Sequence, residues 1–163
     1  MIFLVVMIFL VAQRIAELIV ARRNEKWLLA NGAVEYGKEH YPLIVVLHTA
    51  FILSLIAEYM LNGHMFYWWL LVVYILLVIA KAIVIGTLGH YWNTKIYRIP
   101  GSKPVATGIY KYIKHPNYAI VICEIAVIPM IFGLYYTAII FSALNAMMLY
   151  VRIKKENQVL AGV

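Results

Sequence analysis

The chain predicts an all-α integral membrane protein of five transmembrane helices, the last two a hairpin, within one domain spanning residues 1–163. Three observations carry that prediction. Hydrophobic residues make up 65% of the 163 positions and mean hydropathy is +0.86. Charged residues make up only 13%, against roughly 25% in soluble domains. Several apolar runs reach the roughly 20 residues that a helix rising about 1.5 Å per residue needs to cross a bilayer.

The first run covers residues 2–21 and continues as MIFLVVMIFLVAQRIAELIVARR. It has no preceding basic region and no small-residue cleavage pattern, so a retained helix is expected rather than a removable leader. Runs 42–60 and 65–87 give the second and third spans. The stretch 117–151 is too long for one crossing and is broken near Pro129 and at Gly133, which predicts helices 117–132 and 134–151 joined by a tight turn. The only cysteine, Cys123, falls within an apolar helix, so a packed thiol is expected, with no disulfide and no cysteine-based metal spacing.

The net charge of +7 is explained by topology rather than by a nucleic-acid partner. Arg22, Arg23, Lys26 and Lys38 fall in the first loop, Lys95, Arg98, Lys103, Lys111 and Lys114 in the third, and Arg152, Lys154 and Lys155 in the tail. The second and fourth loops have neither Lys nor Arg. The positive-inside rule then places the N-terminus outside and the basic loops and C-terminus in the cytoplasm, against anionic lipid headgroups.

That orientation gives the polar residues within the spans a side. Arg14, Glu17, His48, Lys81, Glu124 and Asn145 all fall in the inner half of the membrane. In the outer half, Glu58, Asn62 and His64 lie at or beyond a helix end. An ion or proton transporter would spread polar groups across the full depth, which this pattern disfavours. Arg14 and Glu17, three residues apart, can form an ion pair on one helix face. Lys81 is close enough to the interface to snorkel, and His48 reads as a polar contact between helices. Glu124 is different: it sits about two turns beyond Pro116, has no basic residue three or four positions away and is too short to snorkel. It is therefore a candidate for catalysis, accepting a hydrogen bond or a proton from the substrate, with an interhelical tie as the alternative.

The segment 86–116, GTLGHYWNTKIYRIPGSKPVATGIYKYIKHP, is the longest non-spanning stretch, and a structureless connection of that length is uncommon unless functional. Pro116 suits the first turn of a helix, which puts His115 at its N-cap and points unpaired N–H groups and a positive dipole end at the cytoplasm. Such an end suits a carboxylate or phosphate.

GIYKYIKHPNY, followed after the hairpin by RIKKENQVL, resembles the paired signature of the isoprenylcysteine carboxyl methyltransferase family. Gly89 and Trp92 of GHYW also resemble that family's upstream motif, so the similar region runs from about residue 86 to 160. The resemblance implies a membrane methyltransferase that uses S-adenosylmethionine, with its cofactor site formed by the cytoplasmic loop and tail. It implies that Tyr110, His115, Pro116, Tyr118, Glu156 and Asn157 bind the cofactor, and that Lys114 and Arg152 act near the methyl acceptor. Lys114 stands where the family has Arg, Ile120 where it has Gly and Asn157 where it has a second Glu. The first change keeps charge without the bidentate fork, the second narrows space and the third keeps an acceptor without charge.

The first helix and loop are similar to a short bacterial branch associated with type III polyketide synthases. That similarity implies a lipophilic acceptor such as an alkylpyrone, methylated on an enol, phenol or carboxylate oxygen. Prenylcysteine carboxyl and phospholipid amine groups are the enzymatic alternatives. Methyl transfer from a sulfonium is an in-line displacement, so alignment and exclusion of water suffice and no metal is required. Tyr110, Tyr118 and Trp92 offer aromatic faces for a sulfonium. No GxGxxG follows a strand anywhere in the chain, which disfavours a Rossmann methyltransferase.

Overall fold

A computed structural model describes residues 1–62 and 65–161. His64, singled out in the sequence, lies outside the described residues. Five α-helices are present among those described: α1 (Ile2–Ala30), α2 (Tyr41–Leu61), α3 (Trp68–Leu88), α4 (Pro116–Met130) and α5 (Tyr135–Ala161). Four of them, α1, α2, α3 and α5, are long and apolar enough to cross a membrane. With 15 residues, α4 is about 22 Å long, short of a roughly 30 Å hydrocarbon core. The five expected helices are all present, with α4 close to its expected bounds of 117–132.

Helix α4 stops early because the chain turns back after Pro129. Gly133 reverses it at φ +69°, where an added Cβ would also stand 3.3 Å from the Met65 Cβ. Helices α1 and α5 are instead longer than predicted, with 29 and 27 residues. Arg22, Arg23 and Lys26 therefore continue α1, and RIKKENQVL is the last part of α5 rather than an irregular tail.

Apolar side chains divide between a packed interior and a surface facing lipid. Leu10, Phe51, Leu55, Tyr74, Ile125, Ile128, Ile131 and Leu134 are buried together, whereas Leu4, Ile8, Leu53, Ile79 and Ile139 face outward. Such a distribution costs little in hydrocarbon, where lipid is as apolar as leucine. Cys123 is on the outward side, so the expected packed thiol is exposed. At the end of the bundle opposite the basic loops, Glu58 on α2 caps α5 by accepting the backbone N–H groups of Tyr136 (3.1 Å) and Thr137 (2.7 Å). A carboxylate there also meets the positive end of the α5 dipole.

Two short strands, absent from the sequence expectation, join the first and third loops. β1 (Val34–Tyr36) pairs antiparallel with β2 (Ile96–Arg98), and Glu35 faces Tyr97 in the register. Lys95 Nζ lies 2.8 Å from Glu25 Oε1, and the Tyr97 hydroxyl, with one proton to give, lies 2.5 Å from the Glu25 carboxylate and 3.1 Å from that of Glu35. The bond to Glu25 holds the Lys95 amine above the usual lysine range, and burial, aided by Glu25, pushes the Tyr97 hydroxyl up. Asn24 on α1 donates to the carbonyls of Gly89 and Trp92, and Asn93 donates to that of Ala21. The extension of α1 beyond its apolar run thus holds the long loop in place.

Candidate active site

The site is built where the long loop, the start of α4 and the last turns of α5 meet. Pro116 begins α4 and His115 is its N-cap, as the sequence implied. His115 Nε2 lies 3.1 Å from Asn157 Oδ1; since an amide oxygen accepts, that nitrogen carries the proton. The imidazole stacks on the Tyr118 ring at 5.4 Å between centroids, and its Nδ1 is 3.8 Å from Glu156 Oε1, beyond hydrogen-bond range.

Tyr118 links two charged residues of α5, Arg152 and Glu156. Its hydroxyl donates to the Glu156 carboxylate and accepts from Arg152 Nε at 2.8 Å. Arg152 also donates from Nη2 to the Thr94 carbonyl at 2.6 Å, and its guanidinium lies 5.7 Å from the Tyr118 ring centroid. The arginine is therefore buried and fixed at three points.

Three adjoining cavities open around this group, and Glu156 lines all of them. The largest, about 540 Å³, is bounded by Tyr110, Lys114 and Asn157 together with loop residues from Tyr97 to Ala106. Its volume falls within the roughly 300–1,000 Å³ common for small-molecule sites. A smaller cavity of about 70 Å³ lies against His115, Pro116, Tyr118 and Arg152. Burial, aided by Glu156, holds the Tyr110 hydroxyl above the usual phenol range, so it remains a donor near neutral pH.

Two buried polar atoms, Trp92 Nε1 and Asn117 Oδ1, have no hydrogen-bond partner among the described residues. Both residues line the 70 Å³ cavity. One is a donor and the other an acceptor, and leaving either unmatched costs about 1–3 kcal/mol. A ligand presenting an acceptor and a donor to this wall would satisfy both.

Of the residues singled out in the sequence, Tyr110, Lys114, His115, Pro116, Tyr118, Arg152, Glu156 and Asn157 all line these cavities. Glu124 does not. It is fully buried between α1, α3 and α4, where Oε2 meets Lys81 Nζ (2.5 Å) and Arg14 Nη2 (3.0 Å), and Oε1 accepts from Gln13 (3.1 Å). Glu17 completes the cluster through Arg14 (2.9 Å) and Lys81 (3.1 Å), so the Arg14–Glu17 pair forms as expected. The snorkelling expected of Lys81 is replaced by burial, with both carboxylates within ion-pair distance. His48 bonds the Ile44 carbonyl of its own helix rather than another helix. Ile120 is buried and lines none of these three cavities.

Asn117 and Thr94 belong to the site but have no signal of their own in the sequence. The first is an ordinary polar residue after His-Pro, and the second acts through its carbonyl.

The geometry agrees with comparisons across known proteins. The sequence profile of the isoprenylcysteine carboxyl methyltransferase (ICMT) family matches residues 69–162, which include every cavity residue assigned above. The chain is 46% identical over 154 residues to "Uncharacterized protein YpbQ" of Bacillus subtilis (strain 168), covering 93% of this chain and 92% of that protein. It is 31% identical over 156 residues to an "Uncharacterized protein" of Haemophilus influenzae, covering 93% and 91%. No solved structure matches the chain significantly. With more than half of its length matched by one family profile, the chain belongs to the isoprenylcysteine carboxyl methyltransferase family.

Proposed function

We propose that this membrane methyltransferase uses S-adenosylmethionine and methylates an acidic oxygen of a lipophilic acceptor, such as the enol hydroxyl of an alkylpyrone. The observation that carries the reading is the unmatched pair Trp92 Nε1 and Asn117 Oδ1 beside the Tyr118–Arg152–Glu156 group. An amino-acid carboxylate and ammonium are an acceptor and a donor, and so complement the two orphaned atoms. The α4 N-terminus behind His115 and Pro116 favours the carboxylate, and Glu156 and Asn157 offer acceptors to ribose hydroxyls or an adenine amine. The cofactor supplies, when bound, a methyl group activated by a sulfonium.

The chain itself binds, orients and excludes water. The Tyr118 ring is already occupied by His115 and the Arg152 guanidinium, and Tyr110 remains a neutral hydroxyl donor. Arg152, fixed by Tyr118 and Thr94, retains N–H groups to keep an acidic acceptor oxygen in its ionised, nucleophilic form, its proton already lost to water, and Lys114 adds charge at the cavity wall. Glu124 acts at a distance, holding Arg14 and Lys81. The chain crosses the membrane with the N-terminus outside and the site in the cytoplasm, with α4 reaching into the inner half as the fifth membrane helix.

Calorimetry on the detergent-purified chain tests the cofactor directly. S-adenosylmethionine and its demethylated product are expected to bind wild type, and His115→Ala and Glu156→Ala to weaken binding about tenfold or more, as loss of a buried hydrogen-bonding partner predicts. Absence of binding to folded wild type overturns the reading.

A further inference from the structure

Four cations share the wall of the largest cavity. Arg98, Lys103, Lys111 and Lys114 line it, against a single carboxylate, Glu156. None of the four has an ion-pair partner among the described residues. Arg98 donates to the Ser102 carbonyl, which carries no charge, and Lys111 Nζ lies 5.7 Å from the Tyr112 ring centroid. The seven acidic residues of the chain are engaged elsewhere: Glu17 and Glu124 in the buried cluster, Glu25 and Glu35 at the strand pair, Glu58 at the start of α5, Glu39 beside His40 and Glu156 on the Tyr118 hydroxyl. We infer that this wall binds the phosphate of an anionic membrane phospholipid, which supplies the counter-ion that these side chains lack.

Charge and exposure select that ligand together. S-adenosylmethionine carries an ammonium and a sulfonium against one carboxylate, so it is itself a cation and cannot neutralise the wall. A phosphodiester can, because its oxygens accept charge-assisted hydrogen bonds from several lysines at once. Between Lys111 and Lys114, just before α4 begins at Pro116, Tyr112 is 81% exposed and Ile113 46%. An aromatic and an aliphatic side chain bare between two ammonium groups suit a headgroup region, where the apolar pair enters the interface and the lysines meet phosphate. A soluble phosphate would engage the lysines and leave that pair in water.

The grouping is more than the basic character of the loops requires. Arg22 and Arg23 are equally exposed but line none of the three cavities around Glu156. Lys103, Lys111 and Lys114 are exposed and stand at the rim of the largest, whereas Tyr110, Glu156 and Asn157 are half-buried in its wall. A phosphodiester at the rim therefore lowers the positive potential that a cationic cofactor meets on entry. S-adenosylmethionine is a cation overall and its demethylated product is neutral overall, so the bound lipid favours the first over the second. That coupling rests on the methyltransferase reading; binding of the lipid does not.

The test uses the full chain in a neutral detergent, with dioctanoyl phosphatidylglycerol as probe and dioctanoyl phosphatidylcholine and inorganic phosphate as comparators. Thermophoresis is expected to find a saturable phosphatidylglycerol site. Phosphatidylcholine, whose choline meets the lysines with like charge, and inorganic phosphate, which lacks an apolar part, should each bind at least tenfold more weakly. Lys103→Gln with Lys111→Gln should weaken phosphatidylglycerol binding about tenfold, the combined effect of two phosphate-facing lysines. Tyr112→Ser with Ile113→Ser should weaken it about threefold or more. Arg22→Gln with Arg23→Gln removes the same charge away from the cavities and should leave it within about twofold of wild type. All these side chains are exposed, so Tm should be unchanged in each variant. Equal losses in the lysine and arginine variants, or either comparator binding as tightly as phosphatidylglycerol, overturns the inference. Phosphatidylglycerol should also raise affinity for S-adenosylmethionine about threefold relative to S-adenosylhomocysteine, and an unchanged ratio overturns the coupling. If phosphatidylglycerol binds in this pattern while neither nucleoside binds, the lipid site stands and the methyltransferase reading falls.

Discussion

Lys81 on α3 and Glu124 on α4 meet at 2.5 Å in a pocket where neither side chain is more than 3% exposed. With Arg14 and Glu17 they form a group of two cations and two carboxylates whose formal charges cancel. Removing one member leaves the others uncompensated away from water. Glu124→Gln is therefore expected to destabilise the fold by about 3–5 kcal/mol. The Glu124→Gln, Lys81→Met double variant should recover part of that loss, and affinity for S-adenosylhomocysteine in the folded fraction should stay within about twofold. Unfolding in mixed detergent measures the first and calorimetry the second. A loss of turnover tenfold or greater without loss of stability would instead make Glu124 part of the chemistry.

Tyr118→Phe removes the hydroxyl shared by Arg152 and Glu156 and leaves the ring. Turnover is expected to fall about tenfold to a hundredfold, as for loss of a group that fixes a charge-stabilising arginine. Tyr118→Leu, which also removes the aromatic face, should lose more. Equal rates for wild type and Tyr118→Phe would show that Arg152 needs no such anchor.

Trp92→Phe and Asn117→Leu delete polar atoms that have no partner among the described residues. Neither is expected to lower the stability of the ligand-free chain by more than about 1 kcal/mol, because no protein hydrogen bond is lost. Each should weaken binding of S-adenosylmethionine about fivefold to tenfold. Parallel melting and titration separate this from ordinary packing damage, which would lower stability and leave affinity unchanged.

Glu58→Ala uncovers the first turn of α5. A cost of about 1–2 kcal/mol is expected from loss of the cap, measured as a lower Tm without change in cofactor affinity. Glu58→Gln, able to accept one of the two bonds, should lie between.

Membrane orientation is open to direct labelling. In a Cys123→Ala background, a cysteine at Asn62 should react with an impermeant maleimide from outside, and one at Ser102 only after permeabilisation. Because Cys123 faces outward rather than into the core, its replacement should cost less than about 0.5 kcal/mol. The reverse labelling pattern would move the proposed site to the other face.

Hydropathy made the membrane class and most helix positions legible, since length and apolarity alone identify a span. The hairpin was legible from Pro129 and Gly133, each of which breaks a helix for its own stereochemical reason. The residues around the main cavities were legible only as a resemblance: nothing in the spacing of His115 and Glu156 reveals that α4 and α5 fold back to join them. Lys81 shows the opposite failure. Distance to the interface along its own helix favoured snorkelling, while its true partners, Glu17 and Glu124, are on other helices. The strand pair was invisible because three residues are too few for a period-two pattern to register.

The ribbon of β1 and β2 has a consequence for synthesis. Val34–Tyr36 leaves the ribosome before α2 and α3, yet Ile96–Arg98, its partner, emerges after both. The clasp can close only once those two helices have been inserted with their connecting ends on the same side of the bilayer. An inverted or stalled hairpin would hold the strands apart and leave the loop over the site unanchored. Catalytic competence is thereby made conditional on correct insertion, and the region defined by family similarity is not the unit that must be made for the protein to work.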